Sequence, residues 1–299
     1  MKHNLLIFVL LLSICNLNAQ SRQDLSNAVQ LSDDFKQSQG QLTFHADNRD
    51  FCDYYLQISF LNTEGFSGMP TGTSAVVRPG EQQIMNYRVQ ESATRYSYNY
   101  RYAMFRGSIY KKPNVDFAYS LPVVNEETIT AKIKENRDGY QLDFELPTDT
   151  IYACRGGVIC NDELKDHTAK GYRNFNDSRS MSQITAYHDD GTFGEYVFKG
   201  KSLVYPGKNI KMGEAIAIIQ KDIAKNSVLF SVYFLDKNKV KETNTGNKHT
   251  HFRPFFQTFD GKIRLENGKT YICEYTDEVL MQDMTKRERK KFLQKNEKK

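Results

Sequence analysis

Histidine, carboxylate and cysteine are the side chains here that could hold a metal or move a proton, and the histidines are sparse: six in 299 residues. His249-Thr250-His251-Phe252 has the tightest spacing. On a strand, residues i and i+2 point the same way, so both imidazoles could reach one ion. Asp143, in Leu142-Asp143-Phe144, is the carboxylate to weigh with them. The simpler expectation is a pair of surface imidazoles at a strand end, and a carboxylate bonded to nearby backbone amides. Ser227 offers a hydroxyl, but a serine nucleophile needs a base within reach. His188 is the base to weigh with it, and no motif couples the two. Past the first twenty residues four cysteines remain: Cys52, Cys154, Cys160 and Cys273. An even count allows disulfides in an oxidising compartment. Cys154 and Cys160 flank the turn-like Arg155-Gly156-Gly157 and could face each other across a hairpin; otherwise all four are buried thiols.

Short β-rich runs separated by turn residues must position these groups. Tyr187 to Phe198 reads as strand, turn, strand about Asp190-Gly191, because glycine reaches positive φ without a Cβ clash. Leu203-Val204-Tyr205 leads through Pro206-Gly207 into Lys208 to Ile219, and Val228 to Phe234 closes the run. Upstream lie Leu142-Asp143-Phe144 and Ile151-Tyr152-Ala153-Cys154-Arg155-Gly156-Gly157-Val158-Ile159.

In this order the pieces resemble the catalytic domain of the lysostaphin/LytM-type murein metallopeptidases, over roughly residues 121–275. The family carries H-x(3)-D, a V-x-A-x-x-G-x-V hairpin, H-x-x-G-Y, Y-x-H-L, V-x-x-G-x-x-I and H-x-H-F. The resemblance implies an antiparallel β domain of the duplicated-hybrid-motif type. In intact members it also implies a zinc held by the His and Asp of the first motif and the second His of the last. Here the Asp is Asp143, but its His partner falls at Gly139. The Y-x-H-L His falls at Phe198, and the H-x-H pair at Ser227 and Leu229, followed by Phe230. Aromatic and aliphatic groups cannot bind zinc, and one carboxylate cannot hold it tightly. The resemblance therefore implies a pseudo-peptidase with no catalytic residue and no cofactor, the family zinc being lost. Asp143, Tyr196, Phe198, Ser227 and Leu229 are its candidate groove residues. The alternative is a zinc endopeptidase on peptidoglycan with a rearranged site, Asp143, His249 and His251. His249-Thr250-His251-Phe252 imitates the last motif but follows the strand that already fills its role. Phe256 to Gly261 resembles an F-x-T-x-D-G turn of exported relatives.

The rest of the chain sets the context. Residues 1–20 have the make-up of a signal peptide: Lys2, an apolar run from Leu5 to Cys15, and Leu17-Asn18-Ala19 before Gln20. Export to periplasm or exterior, with no membrane span and no nucleic-acid partner, is the expectation. Asp24 to Phe35 reads as a short helix. Residues 21–120 read as a β-sandwich-like domain in which Tyr96, Tyr98, Tyr100 and Tyr102 share one face. That face is either packed on the partner sheet, with phenols at the rim, or an interaction surface in a purely structural module. Residues 121–275 form the peptidase-like domain. Within it, 161–182 read as a polar surface insert with a solvated His167, and Lys237 to Lys248 as a loop. Residues 276–299 form a basic tail, probed by Thr285 and Glu288 as a capping box for a terminal helix. From Lys286 to Lys299 there are eight Lys/Arg and two Glu, so the chain's positive charge is concentrated at this end, which suits contact with an anionic surface. The expected partners are an envelope protein, a hydrolase or a peptidoglycan peptide.

Overall fold

Period-two hydrophobicity governs most of the chain, and a computed structural model shows a mainly β protein with a short C-terminal helix. It describes residues 28–136, 139–160, 181–220, 226–242 and 246–296. The expected signal peptide and the His167 region lie outside the described residues.

Seven strands come first: β1 (Val29–Lys36), β2 (Gln41–Asn48), β3 (Tyr54–Glu64), β4 (Phe66–Ser67), β5 (Gly72–Val77), β6 (Gly80–Val89) and β7 (Ser97–Arg106). They pair as β1-β2-β6-β4 and β5-β3-β7. Leu42, Phe44, Leu56 and Ile58 are buried between the two sheets. The tyrosines of β7 belong to this sandwich. Tyr98 and Tyr100 set their rings against Phe44, with centroids 6.5 and 5.1 Å away. Their hydroxyls both donate to Asp33 at the rim, at 2.6 and 2.7 Å. The helix expected over Asp24 to Phe35 is replaced, from Val29, by β1. Backbone pairing with β2 along its whole length overrides the local preference.

The second layer contains β8 (Ala118–Tyr119), β9 (Thr128–Asn136), β10 (Gly139–Glu145), β11 (Thr150–Tyr152) and β12 (Gly157–Ile159). It continues with β13 (Ser182–Tyr187), β14 (Thr192–Phe198), β15 (Gly200–Ser202), β16 (Asn209–Ile210), β17 (Ala215–Ile219) and β18 (Ser227–Leu235). After α1 (Lys237–Lys241) come β19 (His249–His251), β20 (Phe255–Thr258), β21 (Gly261–Ile263) and β22 (Lys269–Ile272). The main sheet runs β16-β12-β13-β14-β18-β10-β9-β22, with β19 also paired to β18. Smaller sheets β11-β17-β15 and β21-β20-β8 lie beside it. Phe117, Tyr119, Leu121 and Val123 join this second core, and β8 pairs with β20. β8, just before the expected boundary at residue 120, thus pairs with a strand from beyond it. Lys237 to Lys241 is helical rather than loop, since the Asp236 carboxylate caps it by accepting from the Asn238 amide at 2.8 Å.

The β13–β14 hairpin turns as its sequence predicts. Gly191 has φ +87°, and the His188 amide donates to the Thr192 carbonyl at 2.9 Å. A buried charge knot anchors the turn. Arg155, 3% exposed, donates to Asp190 at 2.9 Å and through two nitrogens to Asp283 at 3.0 and 3.1 Å. Its guanidinium carbon lies 3.7 Å from the centre of the Phe117 ring. Asp283 follows α2 (Asp277–Leu280), so this ion pair fastens the segment after α2 to the hairpin. Beyond it, α3 (Lys286–Asn296) carries the capping box that its sequence announces. The Thr285 amide donates to Glu288 Oε2 at 2.8 Å, and the Glu288 amide to Thr285 Oγ1 at 3.3 Å.

His188 sits under this knot. Its Nδ1 donates to the Gly156 carbonyl at 2.7 Å, while Nε2 is buried without a hydrogen-bond partner. Burial, then the Arg155 charge, lower its pKa to about 3. Unfolded histidine titrates near 6.5, so between those values the unfolded chain binds the extra proton. Native stability is therefore whole above about pH 6.5 and falls by up to ~1.4 kcal/mol per pH unit below it. Urea unfolding at pH 7.5 and pH 5 checks this: a His188→Asn variant should show a clearly smaller acid-induced loss than wild type.

Candidate functional site

Strand alternation divides the main sheet into two faces. One face holds Leu142, Phe144, Ile184, Tyr196, Phe198, Val228 and Phe230, all buried in the second core. On the opposite face, paired positions form rows across neighbouring strands. One row runs Gln183, Val197, Leu229, Asp143, Lys132. The next runs Thr185, Glu195, Ser231, and a third Tyr187, Phe193, Tyr233, His251.

The five groove candidates therefore do not converge. Tyr196 and Phe198 are core residues on the wrong face, 0% and 1% exposed. Tyr196 Oη accepts the Cys154 amide at 2.8 Å, and burial holds its phenol neutral with a pKa well above the usual value. Asp143 and Leu229 do sit side by side on the opposite face. The Asp143 carboxylate pairs with Lys134 at 2.9 Å, rather than with the backbone amides expected of it. Ser227 stands at the end of this face opposite Glu145, and Glu145 pairs with Lys132. His188 lies at the other end of β14, with its Nδ1 committed to Gly156, so it does not serve Ser227 as a base.

The histidine alternative is also separated. His251 pairs with Tyr233, and its ring fills the space where Gly139 would carry a side chain: a Cβ there would lie 2.6 Å from His251 Cγ. Asp143 is four residues further along β10. Strand rise places it about 13 Å away, whereas ligands of one zinc lie ~2 Å from the ion. His249 faces the sandwich, where its Nε2 meets the Arg106 carbonyl at 2.8 Å. Asp143, His249 and His251 thus form no common site. Neither the groove at Asp143 nor the two histidines fit a catalytic zinc.

The possible Cys154–Cys160 disulfide is a further correction, since the two cysteines are buried in different cores. The reason is topological. The segment between them is not a hairpin: β11 pairs with β17, while β12 pairs with β13 and β16. Cys154 consequently enters the second core, and Cys160 the core shared with the sandwich.

The structure instead gathers a polar cluster one row from Asp143. Glu195 is 7% exposed and accepts from Gln183 Nε2 at 2.8 Å and from Tyr233 Oη at 3.4 Å. Thr185 and Ser231 flank it on the neighbouring strands. One signal was available in the sequence: Glu195 is the lone charge in Thr192–Phe198, a strand buried at every position. Burial of a carboxylate is costly unless hydrogen bonds accompany it. This arrangement can bind and orient a polar group; its one carboxylate does not make a zinc site.

No family model matches the chain, and no curated protein does. Among solved structures it is similar to a chain described as "A Novel M23 Metalloprotease Pseudoalterin from Deep-sea". The identity is 16%, the alignment covers 54% of this chain and 96% of that one, and the TM-score is 0.30. A likeness at that score carries no argument for fold or activity.

Phe198→Ala should cost about 3–5 kcal/mol, as for a buried aromatic ring, whereas Asp143→Asn should cost under about 1 kcal/mol. Urea denaturation of the two variants distinguishes a core residue from a half-exposed ion-pair partner.

Proposed function

We propose that this protein is an exported, non-catalytic binding or regulatory module of the cell envelope, with a lysostaphin/LytM-like domain whose metal site has been replaced. One observation supports the reading above the others. Where the resemblance calls for a zinc shell, Asp143 is joined to Lys134 and flanked across the sheet by Leu229. The binding face is then the Glu195 side of the sheet, with Asp143, Leu229 and Ser227 along it. Tyr196 and Phe198 support it from behind. The ligand is a peptide, a peptidoglycan stem or a partner hydrolase. The basic α3, exposed over most of its described length, adds contact with an anionic envelope surface. Among the described residues, no helix is long and apolar enough to cross a membrane.

A purely structural role for the tyrosine-rich face has less support, since Asp33 holds the hydroxyls of Tyr98 and Tyr100. The test joins three measurements on the purified protein: metal content, cleavage of wall-derived peptides with and without chelator, and co-sedimentation with peptidoglycan sacculi. The expected outcome is binding without cleavage and no stoichiometric zinc. Chelator-sensitive cleavage would overturn the proposal. Lys→Glu changes in α3 should weaken sedimentation at low salt and matter little at high salt.

A further inference from the structure

Where the sandwich meets the sheet layer, two thiols are buried face to face. Cys52 precedes β3 and Cys160 follows β12; they are 0% and 1% exposed, and both belong to the core that spans the two layers. Their sulfurs and a carboxylate oxygen of Asp50 all lie within 4.8 Å of one another. We infer that Cys52 and Cys160 form a disulfide that staples the sandwich to the sheet layer.

The surroundings favour this over a metal. Asp50 Oδ2 already accepts from Arg106 Nη2 at 3.0 Å, Tyr54 Oη at 2.9 Å and Cys52 Sγ at 3.3 Å. A bound cation would have to displace the Arg106 guanidinium, which is itself buried. A disulfide asks nothing of Asp50. It removes one weak S–H donor and leaves the Arg106 and Tyr54 donors in place. Burial, then Cys160, raise the Cys52 thiol of the folded chain well above its usual pKa, although Arg106 Nε donates to its Sγ at 3.4 Å, so the reactive thiolate belongs to the chain before the layers have fully docked. The thiolate of one cysteine attacks an incoming disulfide there, giving a mixed disulfide and expelling one thiolate. The thiolate of the other then attacks that cysteine's sulfur and expels the second. One S–S bond replaces two S–H bonds, and the two electrons and two protons reduce the oxidant to two thiols. Both sulfurs are inaccessible once the layers dock, so exchange accompanies docking. About a hundred residues separate the two cysteines, a loop length at which a cross-link constrains the unfolded chain strongly.

The test needs no assumption about export, so its outcome is independent of the proposed envelope role. The full chain is reduced, denatured and refolded with oxidised glutathione, then alkylated in denaturant and digested. The expected result is a linked peptide pair containing Cys52 and Cys160, released by dithiothreitol. Reductant should raise the unfolded fraction at a fixed intermediate urea concentration by about tenfold or more in wild type, and have no such effect in Cys160→Ser. Complete alkylation of Cys52 and Cys160 without reductant overturns the inference. So does a Cys154–Cys160 link, or one equivalent of zinc retained on refolding with both thiols free.

Discussion

A single buried guanidinium ties together parts of this chain that are remote in sequence. Arg155 meets the hairpin turn through Asp190, the C-terminal segment through Asp283, and the segment leading into β8 through the Phe117 ring. A cation at 3% exposure is tolerable only with such compensation, because leaving one charge unpaired in the interior costs several kcal/mol. Burial raises the Asp190 carboxyl, but Arg155 and the Asn114 and Thr192 donors outweigh it and hold the group below the usual carboxylate range. His188 beneath the knot is held neutral first by its burial and then by the same Arg155 charge. The hairpin is thereby set rigidly at one end of the main sheet.

The sheet positioned in this way has two unequal faces. One is a continuous apolar core of Phe144, Tyr196, Phe198 and Phe230. The other is apolar where the sandwich docks, at Tyr187, Phe193 and Tyr233, and again at Val197 and Leu229, with polar groups around Glu195 and charged ones around Asp143. Its polar groups are held by one another across strands, as Glu195 is by Gln183 and Tyr233, and Glu195, Thr185 and Ser231 are all buried. The interface between the layers has its own polar centre in Asp50, Arg106 and Tyr54. The sandwich is thus a specified partner of the sheet rather than an appendage.

Much of the fold was legible along the chain. The strand runs, the Asp190-Gly191 turn and the Thr285–Glu288 capping box depend on neighbours within a few residues, and the structure contains all three. The tyrosine ladder was legible as a sandwich face, with its phenols at the rim. The candidate site was less legible. A motif counts positions along a chain, whereas a site needs positions on one face. Spacing assigned Phe198 and Leu229 to one groove, but register places Phe198 opposite Val228 and Leu229 opposite Val197, with the two side chains on opposite faces. Glu195 was passed over because its partners come from the two neighbouring strands, β13 and β18.

By itself the sequence determined the mainly β class, the principal turns, the capped terminal helix and the basic charge of the tail, because each arises from local periodicity and backbone preference. Tertiary structure alone decided which side chains share a face and which cysteines meet. It also decided that β1 is a strand and that Arg155 has two carboxylate partners. Those outcomes depend on pairing between segments that, for Arg155 and the cysteines, lie dozens to more than a hundred residues apart, and chain spacing carries no measure of that distance.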